Sequence, residues 1–173
     1  MGKFGFGMKK ASFAIGASLI LAFSMVQTGH AANTDKMNAQ QIEALLEDAG
    51  FAPEVVMDEA NGAPVAVAKV GDIEFIVRAL ACEEGACERL LLFANFRLGR
   101  PISQQDYKII NSFNESKADG RAYVLEKSGE IGVDYMIDLT GGVSAGHISS
   151  RLNRWQGVVD SFLEAVRAGN TGS

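Results

Sequence analysis

The chain has 173 residues and a formal net charge of −5, with 47% hydrophobic and 21% charged residues. This is the composition of a globular protein, because a disordered chain carries fewer apolar side chains and more net charge. The length predicts one domain.

The first 31 residues have the three parts of a secretory signal peptide. Three lysines precede an uncharged apolar run of 16 residues, 11–26, and small residues follow it as far as Ala31 and Ala32. A membrane-spanning helix needs roughly 20 apolar residues, so the pattern favours cleavage after Ala31 or Ala32 over a transmembrane anchor. We therefore expect an exported, periplasmic protein with no membrane attachment after cleavage.

Cleavage also changes the charge of the protein. Removal of residues 1–31 takes away three lysines and no acidic residue, so the net charge falls from −5 to −8. A protein this acidic is repelled by nucleic acid and by anionic lipid surfaces, which are bound through clustered Lys and Arg. We expect neither as a partner.

The predicted domain, residues 39–168, follows a polar leader at 32–38. Asn38 and Gln41 have the spacing of a capping box, which predicts a helix start, and Gly50 ends that helix. Its apolar face consists of Ile42, Leu45 and Leu46.

Three or four strands come next. Residues 54–59 lead to Asn61-Gly62, a strong hairpin turn signal. A short strand containing Val65 and Val67 follows, and then two longer apolar segments, 73–81 and 88–96, which read as strands.

Cys82 and Cys87 bracket the turn between those two segments, and the chain has no other cysteine. Residues that flank a hairpin turn lie about 4.5–5.5 Å apart at Cα, which is within disulfide range. Export into an oxidising compartment favours a disulfide. A redox pair or part of a metal site remains an alternative, although C-x₄-C is not the usual catalytic spacing and zinc requires four ligands.

A second helix and a second strand pair are predicted after the break at 98–101. Ser103 and Asp106 mark the helix start, and an apolar stripe continues from Tyr107 to about residue 115. The return strand of the pair alternates cleanly, which predicts one buried and one open face. Its inward set is Ile131, Val133, Tyr135, Ile137 and Leu139, and its outward set is Gly132, Asp134, Met136 and Asp138.

The longest helix closes the domain. Ser144 is its predicted cap, and Gly169 is its predicted end, followed by a tail at 169–173. Its core stripe is Ile148, Leu152, Trp155, Val159, Phe162 and Val166. The order α, three or four strands, α, two strands, α predicts an α+β fold in which an antiparallel sheet is flanked by helices.

Several residues are of types that occur in catalytic or binding sites. The glycines at 141–146 precede a helix, but neither a Walker nor a dinucleotide motif is present. Ser144 and His147 lack the G-x-S-x-G elbow of a hydrolase, so a helix cap and a solvent-facing histidine are the simpler interpretation. We predict no catalytic residue, no metal site and no cofactor.

Two acidic groups are also interpreted as solvated surface. Asp134 and Asp138 lie four residues and roughly 13 Å apart on one strand face, which exceeds the spacing of paired glycosidase carboxylates. The hairpin glutamates Glu83, Glu84 and Glu88 could form a weak cation site, but a solvated loop is the simpler interpretation. Tyr107, Phe113, Trp155 and Phe162 have core spacing.

Scattered motifs together resemble the YbjN domain family, a family labelled as bacterial sensory transduction regulators. They are N-S-F-N at 111–114, R-A-Y at 121–123, D-L-T-G-G-V-S at 138–144, and Leu152, Trp155 and Phe162 in the last helix. The resemblance spans about residues 39–166 and implies a fold similar to type III secretion chaperones. It also implies a non-catalytic, protein-binding role, with a homodimer as one form, and brings no catalytic residues. Those chaperones act in the cytoplasm, whereas a signal peptide is predicted for this chain.

The sequence therefore predicts an exported, non-enzymatic regulatory or chaperone-like domain that binds an unidentified protein. Asp134, Met136 and Asp138 on the outer strand face are the candidate partner contacts. The alternative is a periplasmic sensor that binds a small ligand or cation through the acidic hairpin and Gly141-Gly142.

Overall fold

The computed structural model describes residues 33–171. The predicted signal peptide and the last two residues of the predicted tail lie outside that range. Within it, the elements in chain order are α1 (Ala39–Asp48), β1 (Glu54–Met57), β2 (Pro64–Val70), β3 (Ile73–Glu83), β4 (Ala86–Arg97), α2 (Gln104–Ser116), β5 (Arg121–Leu125), β6 (Glu130–Asp138) and α3 (Ala145–Thr171).

The strands form one antiparallel sheet with the order β1-β2-β3-β4-β6-β5. The first four strands form a meander, and β6 then inserts between β4 and β5. The predicted α+β class and the predicted order of helices and strands are confirmed.

The helices pack against one side of the sheet, where alternate strand residues are buried. Trp155 and Phe162 of α3 are fully buried, and the ring of Trp155 lies 5.7 Å from the ring of Phe75 on β3. The inward set predicted for the return strand is buried as expected, from Ile131 to Leu139. Burial of such large side chains contributes about 1.5–3 kcal/mol each, and this is the main stabilisation of the layered fold.

Both predicted helix starts are confirmed, and each has the hydrogen bonds of a capping box. Asn38 and Gln41 exchange hydrogen bonds between side chain and backbone at the start of α1. At the start of α2, Asp106 accepts hydrogen bonds from the backbone N–H and the hydroxyl of Ser103. Arg100 adds a bidentate pair to the same carboxylate at 2.7 Å, and this pairing lowers the pKa of Asp106.

Two predictions about the helices are wrong. Tyr107 is not a core residue: it is exposed on α2 and donates a hydrogen bond to Glu126. Gly169 does not end α3, which continues to Thr171. The glycine permits close packing instead, because a Cβ at this position would lie 2.3 Å from Cγ1 of Ile109 on α2.

The predicted polar leader is paired with the domain. Thr34 bridges to Val143, and Met37, which is buried, exchanges two backbone hydrogen bonds with Cys87. The backbone groups of Cys87 are available because a non-hydrogen-bonded hairpin pair directs its N–H and C=O away from the partner strand. The segment thus extends the sheet beyond the end of β6.

Candidate functional site: the open face of the sheet

The side of the sheet that faces away from the helices is the open face, and it is the candidate site. Alternation places on it the outward residues of the long strands, among them Ile76, Arg78, Leu91, Phe93, Asn95, Arg121, Tyr123, Leu125, Asp134, Met136 and Asp138. Met136 and Leu125 are each 37% exposed and Val56 on β1 is 49% exposed. The open face therefore combines apolar and charged side chains.

A shallow depression of about 290 Å³ lies in this face, and we call it the trough. It is lined by Arg78, Leu91, Phe93, Asn95, Arg121, Tyr123, Leu125 and Asp134. Four of these side chains are apolar or aromatic, and they come from two strands, β4 and β5, that are not neighbours in the sheet. The trough exists because β6 lies between β4 and β5.

Gly132 shapes one wall of the trough. It lies between Asn95 and Tyr123 in the register of β4, β6 and β5. A Cβ on Gly132 would lie 2.5 Å from the Tyr123 ring, so the glycine lets Tyr123 cross β6 and donate a hydrogen bond to Asn95 Oδ1 at 2.6 Å. Burial raises the pKa of Tyr123 to about 12, so the phenol keeps its proton at neutral pH.

The three predicted contact residues lie on the open face, in different environments. Met136 and Asp138 are exposed, and a hydrogen bond from Thr140 lowers the pKa of Asp138. Asp134 is only 7% exposed, because Arg121 covers it and donates a hydrogen bond at 2.5 Å. The interpretation of Asp134 as a solvated carboxylate is therefore wrong, while contact of the three residues with a partner stays a prediction.

Arg78 differs from the other arginine of the trough. Its guanidinium lies 5.9 Å from the centre of the Phe93 ring, within cation–π range. Among residues 33–171, no carboxylate lies within 4.0 Å of it, since the ion pairs of this range involve other residues. Its directly opposed neighbours on β2 and β4 are Val65 and Leu91, which are apolar.

The cysteine hairpin has the predicted form. Cys82 and Cys87 are directly opposed with their Cα atoms 3.9 Å apart, and their sulfur atoms are at bonding distance. Glu84 and Gly85 have positive φ angles, which is the geometry of a type I′ turn. A pairing of these two cysteines leaves no free thiol in the described residues.

The acidic side chains of this hairpin face a lysine of the same chain. Lys36 Nζ lies 2.7 Å from Glu83 and 3.4 Å from Glu88. The hydrogen bond from Lys36 to Glu83 lowers the pKa of Glu83 and raises the pKa of Lys36. No cluster of three or more His, Cys, Asp or Glu side chains suited to a metal ion is found within residues 33–171.

The glycine turn before α3 has a structural explanation. Gly141 and Gly142 have positive φ angles, which glycine adopts without steric cost. Ser144 Oγ accepts a hydrogen bond from the backbone N–H of His147, as predicted for a helix cap, and the His147 side chain is exposed. No hydrogen bond or ion pair joins that side chain to another part of the described chain.

The motif N-S-F-N at 111–114 closes one edge of the sheet. Asn114 on α2 donates a hydrogen bond to the carbonyl of Ala122 at 3.0 Å and accepts one from its N–H at 2.8 Å. A sheet edge exposes unpaired backbone groups that can recruit other chains. Asn114 satisfies both groups of Ala122 on the outer edge of β5, a role that periodicity alone does not reveal.

Residues 38–168 match the model of a protein family, YbjN, described as "Putative bacterial sensory transduction regulator". The chain belongs to the YbjN family. The match starts at Asn38, which caps α1, and ends in the last turns of α3, so it covers the whole sheet and all three helices. The resemblance noted in the sequence is thereby confirmed. None of the curated proteins compared matches the chain.

Arg78, Asn95 and Tyr123 of this YbjN domain are candidate site residues that no sequence motif indicates. Arg78 carried one signal, since it is a charged residue at an outward position between the apolar outward residues Ile76 and Leu80. The insertion of β6 between β4 and β5 brings the three residues to one trough, and no local pattern encodes that insertion.

Proposed function

We propose that this YbjN domain is an exported, non-catalytic regulatory module that binds another protein through the open face of its sheet. The observation that carries the proposal is the open face itself, in which exposed Met136 and Leu125 border a trough with an apolar floor. Exposed apolar surface with a polar rim is typical of protein–protein contact sites. The regulatory description of the family agrees with this role.

Export is the second part of the proposal, and it rests on the sequence of residues 1–32. No helix within residues 33–171 is long and apolar enough to cross a bilayer. Mass measurement of the mature protein should give an N-terminus at Ala32 or Asn33. A protein that retains residues 1–31 would contradict export by cleavage.

A cation or small-ligand sensor has less support. The carboxylates of Glu83 and Glu88 already face Lys36, and the turn at Gly141-Gly142 holds the N-terminal segment through the Thr34–Val143 bridge. Both features proposed for ligand binding thus have partners within the chain. A thermal-shift screen against metal ions and metabolites should be silent, since a ligand that binds the folded state raises the melting temperature.

Site-specific photocrosslinking in cells tests the binding surface. A photoreactive amino acid at Met136 probes the open face, and the same residue at Gln156, which is exposed on α3, is the matched control. We expect a recurrent adduct with one other protein from Met136 and none from Gln156. Adducts of equal yield at both positions, or only self-adducts, would contradict binding of a partner through the open face.

A further inference from the structure

The trough carries an inference about the chemistry of the partner, which rests on the proposed function. We propose that the trough binds a peptide segment in which an Asp or Glu is flanked by apolar side chains, and that Arg78 selects the carboxylate. Three properties of the trough favour such a ligand: its hydrogen-bonding character, its apolar floor and the charge balance of its rim.

The polar groups that line the trough are predominantly donors. Arg78 has no carboxylate within ion-pair distance among the described residues. Asn95 uses its carbonyl oxygen to accept from Tyr123, while its NH₂ group has no hydrogen-bond partner within residues 33–171. The one carboxylate of the lining, Asp134, is already bonded to Arg121. A ligand that supplies acceptor oxygens therefore complements the site.

The floor of the trough favours a ligand with apolar groups beside its carboxylate. Leu91, Phe93, Tyr123 and Leu125 form the apolar part of the lining. Leu125 is 37% exposed, and Met136 continues the apolar surface beside Leu91 in the register of β4 and β6. Burial of such surface contributes about 25 cal/mol per Å², and the low local polarity strengthens a charge-assisted hydrogen bond to Arg78.

The arginines of the trough contrast with the charge of the domain as a whole. The mature chain carries −8, yet the trough lining contains two arginines and one carboxylate, which is a local excess of one positive charge. A second copy of this acidic chain would bring its own negative charge to the interface. An acidic side chain on a short apolar segment matches the local charge with little whole-molecule repulsion, because charges farther away than about 8–10 Å are screened by salt.

Peptide selection tests the proposal without knowledge of the partner. A displayed library of random 12-residue peptides is selected on the purified protein, and the affinity of labelled winners is measured by fluorescence anisotropy. We expect winners with an Asp or Glu between apolar residues. Their affinity should fall about tenfold or more with Arg78→Gln, because a charge-assisted hydrogen bond is lost. A higher salt concentration should also weaken the binding of these peptides.

Matched variants make the outcomes distinguishable. Arg89→Gln removes an arginine of β4 that lies on the same face of the sheet but does not line the trough, and it should leave the affinity unchanged. Arg78→Lys keeps the charge and should restore part of the binding. Circular dichroism of each variant confirms that the fold is retained.

Four results would overturn the inference. In the first, the selected peptides contain no acidic residue, and their affinity is unchanged by Arg78→Gln but abolished by Leu125→Asp. This result would support binding through the open face and contradict selection of a carboxylate by Arg78. Selected peptides whose affinity is unchanged by both substitutions would contradict the inference and also count against binding through the open face. A selection that yields no binding peptide would contradict the inference as well. Displacement of the peptides by an equal concentration of laurate would assign the trough to amphiphilic small anions instead of a peptide.

Discussion

Two carboxylates are buried in the described part of the chain, Asp106 and Asp134, and each faces an arginine. Asp106 is 2% exposed and accepts four hydrogen bonds, two from Arg100 and two from Ser103. A buried charge is tolerated only when it is paired and hydrogen-bonded. Asp106 therefore connects the loop after β4 to the first turn of α2.

We predict that Asp106→Asn destabilises the protein by about 1.5–3 kcal/mol at pH 7, since hydrogen bonds to a charged group are lost. The pairing lowers the pKa of Asp106 in the folded state. The carboxylate therefore contributes its full stabilisation well above the unfolded pKa of about 3.9. That contribution declines as pH falls below about 4 toward the folded pKa.

Urea denaturation of the wild type and Asp106→Asn at pH 7, 5 and 3.5 checks this prediction. The difference in unfolding free energy should be largest at pH 7 and 5 and smaller at pH 3.5. A difference that is constant over this range would mean that the ionised form is not the stabilising one.

Asn114 provides a second prediction for a single side chain. Asn114→Ala leaves the N–H and C=O of Ala122 without their partners, and Ala122 is buried. We expect a loss of about 1–3 kcal/mol for two hydrogen bonds. Asn111→Ala is the matched control in the same helix and motif, because Asn111 is exposed like Asn114 but its side chain makes no hydrogen bond within residues 33–171. It should change stability by about 0.5 kcal/mol at most. Equal losses of stability for Asn114→Ala and Asn111→Ala in thermal denaturation would contradict the role of Asn114 in closing the sheet edge.

At the scale of elements, the sequence predicts local boundaries well where a side chain acts on nearby backbone. Asn38 and Ser103 begin their helices as predicted, because a capping box depends on four consecutive residues. The end of α3 could not be predicted in this way. Gly169 has the character of a helix terminator in sequence, and only the position of Ile109 on another helix explains its presence inside α3.

The two glycines in the later part of α3 should respond oppositely to alanine. Nothing lies within 4 Å of a Cβ at Gly157. Gly157→Ala should therefore stabilise the protein by about 0.5–1 kcal/mol, because alanine lowers the backbone entropy of the unfolded chain. At Gly169 the added methyl meets Ile109, so Gly169→Ala should cost about 1–3 kcal/mol through overpacking. Melting temperatures of the two variants should move in opposite directions. A rise in both would mean that α2 and α3 are not in close contact at Gly169.

At the scale of the whole molecule, the topology determines the candidate site. Alternation along β6 predicts which of its residues face outward, and this is confirmed for Met136 and Asp138. Alternation says nothing about which strands are neighbours. The trough contains Phe93 of β4 and Tyr123 of β5, and β6 lies between these two strands. Its set of residues therefore depends on long-range strand pairing, which no local sequence pattern indicates.

The hairpin that contains Cys82 and Cys87 also binds the N-terminal segment, so its disulfide bears on the organisation of the whole domain. We expect intact mass and alkylation of the native protein to show no free thiol before reduction, and two alkylatable thiols in native protein would contradict the disulfide. The double variant Cys82→Ala, Cys87→Ala should lose about 2 kcal/mol or less, because the closed loop is short and its closure entropy small.

Docking of the N-terminal segment should survive loss of the disulfide. Met37 is held by backbone hydrogen bonds to Cys87 at 2.9 and 2.8 Å, and Lys36 by its ion pairs with Glu83 and Glu88. None of these contacts involves a sulfur atom. Hydrogen exchange at the Met37 amide should therefore be nearly as slow in the double variant as in the wild type. Fast exchange at Met37 together with retained protection in β4 would instead mean that the sulfur–sulfur bond holds the hairpin in the conformation that the segment recognises.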